Sequence, residues 1–311
     1  MAAGNNPAFN NPAFQEQGAG RAFPTSGQGG FGTQTQSASA QAAATDAAVN
    51  ARLEGAYAAP SAGAIETGRM TVEDTVIKTI GLFAMLLVTA VVGWMWSMAT
   101  VNPTDPTSMP SMAPWLIGAL GGFVLAMVVI FTSRKKIRPA LIWGYAAFEG
   151  LFVGSISAFF EFIWSGIVLQ ATIGTLAVVG VTLALFASGK VRASKKATKI
   201  FMVAMIGYLV FSLVNVIMMM FGAFNGPDSG GPFGLYSVQL FGWLPLGLVI
   251  GVLVVIMAAY SLVLDFDSIQ QGVRNGAPRQ YAWLGAFGIM VTVVWLYIEI
   301  LRILAILRGS N

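Results

Sequence analysis

Long apolar runs separated by short polar connectors dominate the chain from about residue 71 onward. Seven of them reach the roughly 20 residues a helix needs to cross a bilayer. They fall at about 79–99, 114–132, 140–160, 166–187, 200–222, 243–264 and 282–306. Hydrocarbon offers the backbone no hydrogen-bond partners, so each run has to satisfy its own amides as a helix. The pattern predicts an all-α membrane protein, a seven-transmembrane helix bundle over residues 71–308. Gly118/Gly122, Gly150/Gly154 and Gly247/Gly251 have the small-xxx-small spacing that lets helices approach closely.

Residues 1–70 break this pattern. They are rich in Gly, Ala, Gln and Asn, with almost no apolar periodicity. Such a segment buries too little apolar surface to offset its chain entropy, and it reads as a disordered tail. Asn-Pro-Ala-Phe occurs twice, at Asn6–Phe9 and Asn11–Phe14. Chance duplication in a low-complexity tail and a short linear motif that docks a partner are both open readings. An Ala-rich patch over 40–58 is a candidate transient helix. No basic region precedes an apolar core here, so the start does not read as a secretory signal.

The bases give the orientation. Arg69 and Lys78 precede the first run, Arg134, Lys135, Lys136 and Arg138 follow the second, and Lys190, Arg192, Lys195, Lys196 and Lys199 follow the fourth. Arg274 and Arg279 follow the sixth, whereas connectors 100–113, 161–165 and 223–242 hold no Lys or Arg. The positive-inside rule then predicts a cytoplasmic N-terminus and a C-terminus on the other side. Glu73 and Asp74 open the first helix, where the helix dipole favours acids.

Composition narrows the chemistry. Only 10% of residues are charged, against about 25% in soluble domains, and mean hydropathy is +0.73. The pI near 9.4 reflects bases placed between apolar runs, so topology accounts for it and nucleic acid is not an expected partner. The chain has neither Cys nor His, which excludes disulfides, thiol catalysis, His-dependent hydrolases and His-ligated zinc or haem. Any pH response near neutrality has to come from carboxylates perturbed by burial or a like charge. No run carries a mid-membrane Lys for a retinal Schiff base, and no nucleophile or metal constellation is visible, so neither an enzyme nor a resident cofactor is expected.

Polar residues inside apolar runs are expensive and mark functional or paired positions. Glu161 falls at a helix end and reads as interfacial. Glu149 lies mid-run, either as a packing residue hydrogen-bonded to a neighbouring helix or as part of a polar path. Asp265 and Asp267 close the sixth run, where negative charge opposes the helix dipole. They are either interfacial acids paired with Arg274 or a loop lysine, or functional acids. Glu299 has Arg302 three positions on, on the same helix face. An internal Glu299–Arg302 pair is one reading, and exchange of protons or cations between Glu299 and Asp267 is the other.

The segments YSLVLDFDSIQQG and WLYIEILRILAIL resemble the transmembrane Bax-inhibitor-motif (YccA-like) family. KKIRPALIWGYAAFEGLFVGSIS and IVLQATIGTLAVVGVTLALFASGK are similar to the family's third and fourth helices, so the resemblance covers about 71–308. It implies a bacterial-type member in an inner cell membrane, with helix 7 central and wrapped by the other six. It also implies a pH-sensitive calcium leak governed by a carboxylate pair, with Asp267 and Glu299 at the family's acidic positions and Gln270 matching its D-x-x-Q pattern. Calcium would then be the transported ion. The family further suggests a regulatory alternative, in which the tail modulates a membrane-bound protease or another membrane complex. Three features depart from the family. Glu stands at 299 for the usual Asp, helix 2 has no carboxylate, and Asp267 and Glu299 are 32 positions apart. Glu299 lies some 17 residues into its helix, roughly 25 Å, so the two acids meet only if helix 6 or helix 7 extends well beyond its apolar run.

Overall fold

The computed structural model describes residues 68–105, 107–222 and 233–309. Of the expected disordered tail, residues 1–67 with the NPAF repeats and the Ala-rich patch lie outside the described residues, whereas residues 68–70 are described and hydrogen-bonded to the α6–α7 turn. The elements are α1 (Val72–Met98), α2 (Ala113–Ser133), α3 (Pro139–Ile163), α4 (Ile167–Ala187), α5 (Lys195–Met220), α6 (Leu246–Arg274) and α7 (Tyr281–Gly309). A 3-10 turn at Gly234–Ser237 and a two-stranded antiparallel pair, β1 (Gln239–Leu240) with β2 (Leu244–Pro245), precede α6. All seven α-helices are long and apolar enough to cross a membrane.

The helices outrun the apolar runs wherever polar sequence still favours a helical turn. α1 starts at Val72 because Thr71 caps it, its Oγ1 accepting from the Asp74 amide at 3.0 Å. Ser194 caps α5 in the same way through the Ala197 amide at 3.2 Å. α6 continues through Asp265, Asp267 and Gln271 to Arg274. It stops at Asn275–Gly276, where Gly276 takes a φ of 64° that side-chain-bearing residues avoid. Glu161 sits at the end of α3 and caps α4, accepting from the Gly166 and Val168 amides at 2.6 and 3.0 Å. A carboxylate there also complements the α4 dipole.

α7 is the centre. It packs against α6, α1, α4 and α3 and buries Ala282, Ala286, Met290, Leu296, Leu301 and Ala305. Of its most apolar window 44% is buried, against 6% for α5, so α5 shows most of its surface to lipid. Tyr145 of α3 meets Phe287 of α7 edge to face at 5.0 Å. α2 packs mainly on α3 rather than on α7.

The α1–α3 seam is closed by glycine. A Cβ on Gly154 would lie 2.7 Å from the Ala90 Cα, and one on Gly93 would lie 2.6 Å from the Leu151 carbonyl oxygen. Backbone therefore meets backbone there, and dispersion between closely packed main chains substitutes for the hydrophobic drive that lipid cannot supply.

At the end carrying the basic connectors, the turn between α6 and α7 is tied to the entry of α1. Met70 donates its amide to the Ala277 carbonyl at 2.7 Å, and Arg279 to that of Gly68 at 2.9 Å. Asp74 joins both sides, pairing with Lys78 at 2.5 Å and with Arg279 at 2.9 Å. Hydrogen bonding to Asp74 lifts the Arg279 guanidinium above its ordinary pKa. At the opposite end Asn215 of α5 holds the 3-10 turn, accepting from the Leu235 amide at 2.7 Å and donating to the Phe233 carbonyl at 3.3 Å.

Candidate functional site

The acids singled out in the sequence sit on the α6–α7 seam, and the register of that seam decides which of them meet. The helices run antiparallel. Gly247 faces Ile306, Gly251 faces Ile303, Asp265 faces Gly288 and Ile269 faces Gly285. Continuing that register sets Asp267 level with about residue 286 and Glu299 level with about residue 254. The two acids are therefore roughly 13 residues, or about 20 Å, apart along the seam. The expected Asp267–Glu299 pair is not formed. α6 does run past Gln271, but it extends away from Glu299.

Glu299 is 2% exposed and has its own partners. Arg302 of the same helix binds Glu299 Oε1 through Nη2, and the Tyr208 hydroxyl of α5 donates to Oε2 at 3.1 Å. Arg302 Nη1 also reaches the Tyr208 oxygen at 3.3 Å, and the guanidinium lies 4.0 Å from the centre of the Tyr236 ring. The i, i+3 pairing expected from sequence is present. It joins α7 to α5 and to the 3-10 turn, where little other packing holds α5 in place.

Asp265 is held between the two helices. Its Oδ2 accepts from the Thr292 hydroxyl at 2.7 Å, and Ser261 stands 3.4 Å from the same hydroxyl. A Cβ on Gly288 would come within 3.1 Å of Oδ1, so glycine leaves room beside the carboxylate. Ion pairs among the described residues are Asp74–Lys78, Asp74–Arg279 and Glu299–Arg302. Asp265 has no basic partner among them, and pairing with Arg274 or a loop lysine does not occur.

Asp267 points elsewhere. It lines a cleft of about 560 Å³ between α5 and α6 at the basic end, together with Ser194, Lys195, Thr198, Lys199 and Gln271. Gln271, one helical turn on, donates to its Oδ2 at 2.6 Å. The expected helper, Gln270, instead accepts from Arg192 at 3.2 Å, because the adjacent position projects about 100° around a helix. Glu149 lies in α3 beside Tyr145, with its Oε2 3.0 Å from where a Cβ on Gly122 of α2 would be. That carboxylate packs at the α2–α3 contact.

Sequence reading missed Tyr208, Thr292 and Gln271. A hydroxyl inside an apolar run is a faint signal, and only the register reveals that Thr292 faces Asp265. Among the described residues no three acids gather in a way that would hold a metal ion tightly.

No curated protein and no solved structure gives a significant match to the chain. The family described as Bax inhibitor 1 like matches residues 6–309. The resemblance read from helices 3, 4, 6 and 7 covers 71–308, so the family pattern also takes in most of the N-terminal segment. The seven membrane helices and this match over nearly the whole length agree: the chain is a multi-pass membrane protein and belongs to the Bax inhibitor 1 like family.

Proposed function

We propose that the protein is a pH-sensitive leak or transport route for a hard cation such as calcium, in an inner cell membrane of a bacterium, with its basic end in the cytoplasm. One observation carries this reading. Asp265 is an acid inside a membrane helix that has a hydroxyl partner and, among the described residues, no basic one, a costly arrangement characteristic of ion or proton paths. Oxygen ligands suit hard cations, and Asp265, Thr292 and Ser261 supply them in one place. Asp267, in the cleft at the basic end, is the first acid an ion meets. Lys195 and Lys199 on the same cleft oppose entry, which keeps the route a leak rather than a fast pore. The gate consists of Asp265 and Asp267 in series, not of Asp267 with Glu299.

Protonating Asp265 removes the charge that draws a cation, so flux falls as pH falls. In calcium-dye-loaded liposomes the wild-type chain should pass calcium above the empty-liposome rate. Asp265→Asn should lower that flux about tenfold, equivalent to about 1.4 kcal/mol on the barrier. Flux equal to that of empty liposomes would remove the proposal.

A regulatory role exercised through the N-terminal segment on a membrane-bound protease or other complex is the second reading. It draws on the family match beginning at residue 6. Deleting residues 1–65 separates the two: flux stays intact under the first, and the cellular effect disappears under the second.

A further inference from the structure

The three residues leading into α1 do more than connect. Residues 68–70 run antiparallel to the α6–α7 turn, with Arg69 opposite Pro278. The Met70 amide donates to the Ala277 carbonyl at 2.7 Å, and the Arg279 amide donates to that of Gly68 at 2.9 Å. Asp74 binds the Arg279 guanidinium, and Lys78 reaches the Arg279 carbonyl oxygen at 3.3 Å, so α1 grips the same turn. Met70 lies outside every helix yet is only 4% exposed, packed with Ile269, Val273, Ala277 and Ala282.

What Met70 covers is the basic end of the α6–α7 seam. α7 presents Ala282, Gly285 and Gly288 there. Ala282 packs with Met70, a Cβ on Gly285 would lie 2.9 Å from Ile269 Cγ1, and one on Gly288 would come within 3.1 Å of Asp265 Oδ1. Such small residues fill little space, so Ile269 and Met70 supply the side chains that close the seam. Counting from the basic end, Met70 comes first, Ile269 next, and Asp265 one helical turn deeper. The hold on Met70 is slight. Two backbone hydrogen bonds and one buried side chain are set against the chain entropy of three ordered residues. Segments balanced in this way belong to the part of a fold that opens first.

We propose that residues 68–70 are a strap that closes the basic end of the α6–α7 seam, with Met70 as its plug, and that its release opens Asp265 to water on that side. The strap regulates the route proposed above and rests on that reading for what passes, whereas the closure itself does not depend on ion flux. It is continuous with residues 1–67, so a load on that segment reaches the seam through Met70.

The chain has no cysteine, which allows a direct test. Thr292→Cys in the full chain places a single thiol beside Asp265. Its reaction with a small membrane-impermeant maleimide, present on both faces of the liposome, is followed by mass spectrometry of the α7 peptide. Met70→Ala removes the plug and should raise the reaction rate about tenfold, the factor for a strap released about 10% of the time in the unaltered chain. Arg69→Cys with Pro278→Cys does the reverse. The two positions form a non-hydrogen-bonded antiparallel pair, whose Cα atoms lie about 4.5 Å apart, within disulfide reach. Oxidising that pair should suppress labelling of Thr292→Cys, and reduction should restore it. If Met70→Ala fails to fold, the oxidised and reduced states of the pair decide alone. Equal labelling in the locked and released states would overturn the strap. Wild-type calcium flux, measured alongside, keeps the two proposals apart. Labelling that follows the lock without flux above empty liposomes retains the strap and removes the leak, and flux with labelling indifferent to the lock does the opposite.

Discussion

Gly154→Ala is expected to lower the unfolding temperature in detergent sharply, although alanine is the better helix former. The substitution gains about 1 kcal/mol in intrinsic propensity. Against that, the new methyl would sit 2.7 Å from the Ala90 Cα and closer still to the Ala90 carbonyl. The obstacle is backbone, which cannot swing aside as a side-chain tip does, so α1 and α3 must separate. Overpacking of this kind costs about 1–3 kcal/mol and sometimes more, and the seam lost is among the most extensive in the bundle. With backbone as the obstacle the steric cost falls at the upper end of that range and wins, for a net loss of about 1–2 kcal/mol. Gly180→Ala and Gly207→Ala supply the contrast. Beyond its own stretch of helix backbone, neither new methyl would meet an atom within 4 Å, so the propensity gain should appear alone as a small rise. Tryptophan fluorescence during thermal unfolding reads all three. Equal shifts for Gly154 and Gly180 would mean that the seam does not depend on close backbone approach.

The contrast between these glycines shows what the sequence could and could not display. The number of spans and their order were legible because lipid forces each apolar run to be helical. Small-xxx-small spacing pointed correctly to Gly150, Gly154, Gly247 and Gly251, but it could not tell which neighbour each would meet. The acids were found as residues and mispaired as a site. Sequence proximity to a family motif suggested Asp267 with Glu299, whereas the antiparallel register of α6 and α7 is a three-dimensional quantity that puts Asp265 opposite Gly288 and Thr292. Two positions along α6, about 200° around the helix, separate Asp265 facing α7 from Asp267 facing the cleft. Gln270 and Gln271 exchanged roles for the same reason. The Glu299–Arg302 pair was readable because both residues lie on one helix, three positions apart. Tyr208, which completes it from α5, was not.

That pair sets the largest expected effect. Glu299→Gln removes the carboxylate and leaves Arg302 charged and mostly buried, with the Tyr208 hydroxyl and the Tyr236 ring as its remaining partners. Breaking a buried pair by deleting one partner costs about 3–5 kcal/mol, and an unneutralised arginine inside a membrane helix is itself unfavourable by about 2.5–3.5 kcal/mol on insertion scales. Arg302→Leu should be milder. The carboxylate left behind can take up a proton and become neutral, a route closed to a guanidinium, and Tyr208 still hydrogen-bonds to it. Glu299→Leu together with Arg302→Leu removes both charges and leaves only the phenol to find a partner, so its stability should lie closer to wild type than that of Glu299→Gln. The signature is an order of unfolding temperatures, with Glu299→Gln lowest, Arg302→Leu intermediate and the double variant highest of the three. Additive losses in the double variant would show that the two residues stabilise α5 independently and that their contact contributes nothing. With the pair broken, α5 loses the charge-assisted bond from Tyr208 to Glu299 and keeps only the weaker Arg302–Tyr208 contact to α7, so proteolysis in the connector between α4 and α5 should accelerate in Glu299→Gln before the rest of the bundle unfolds.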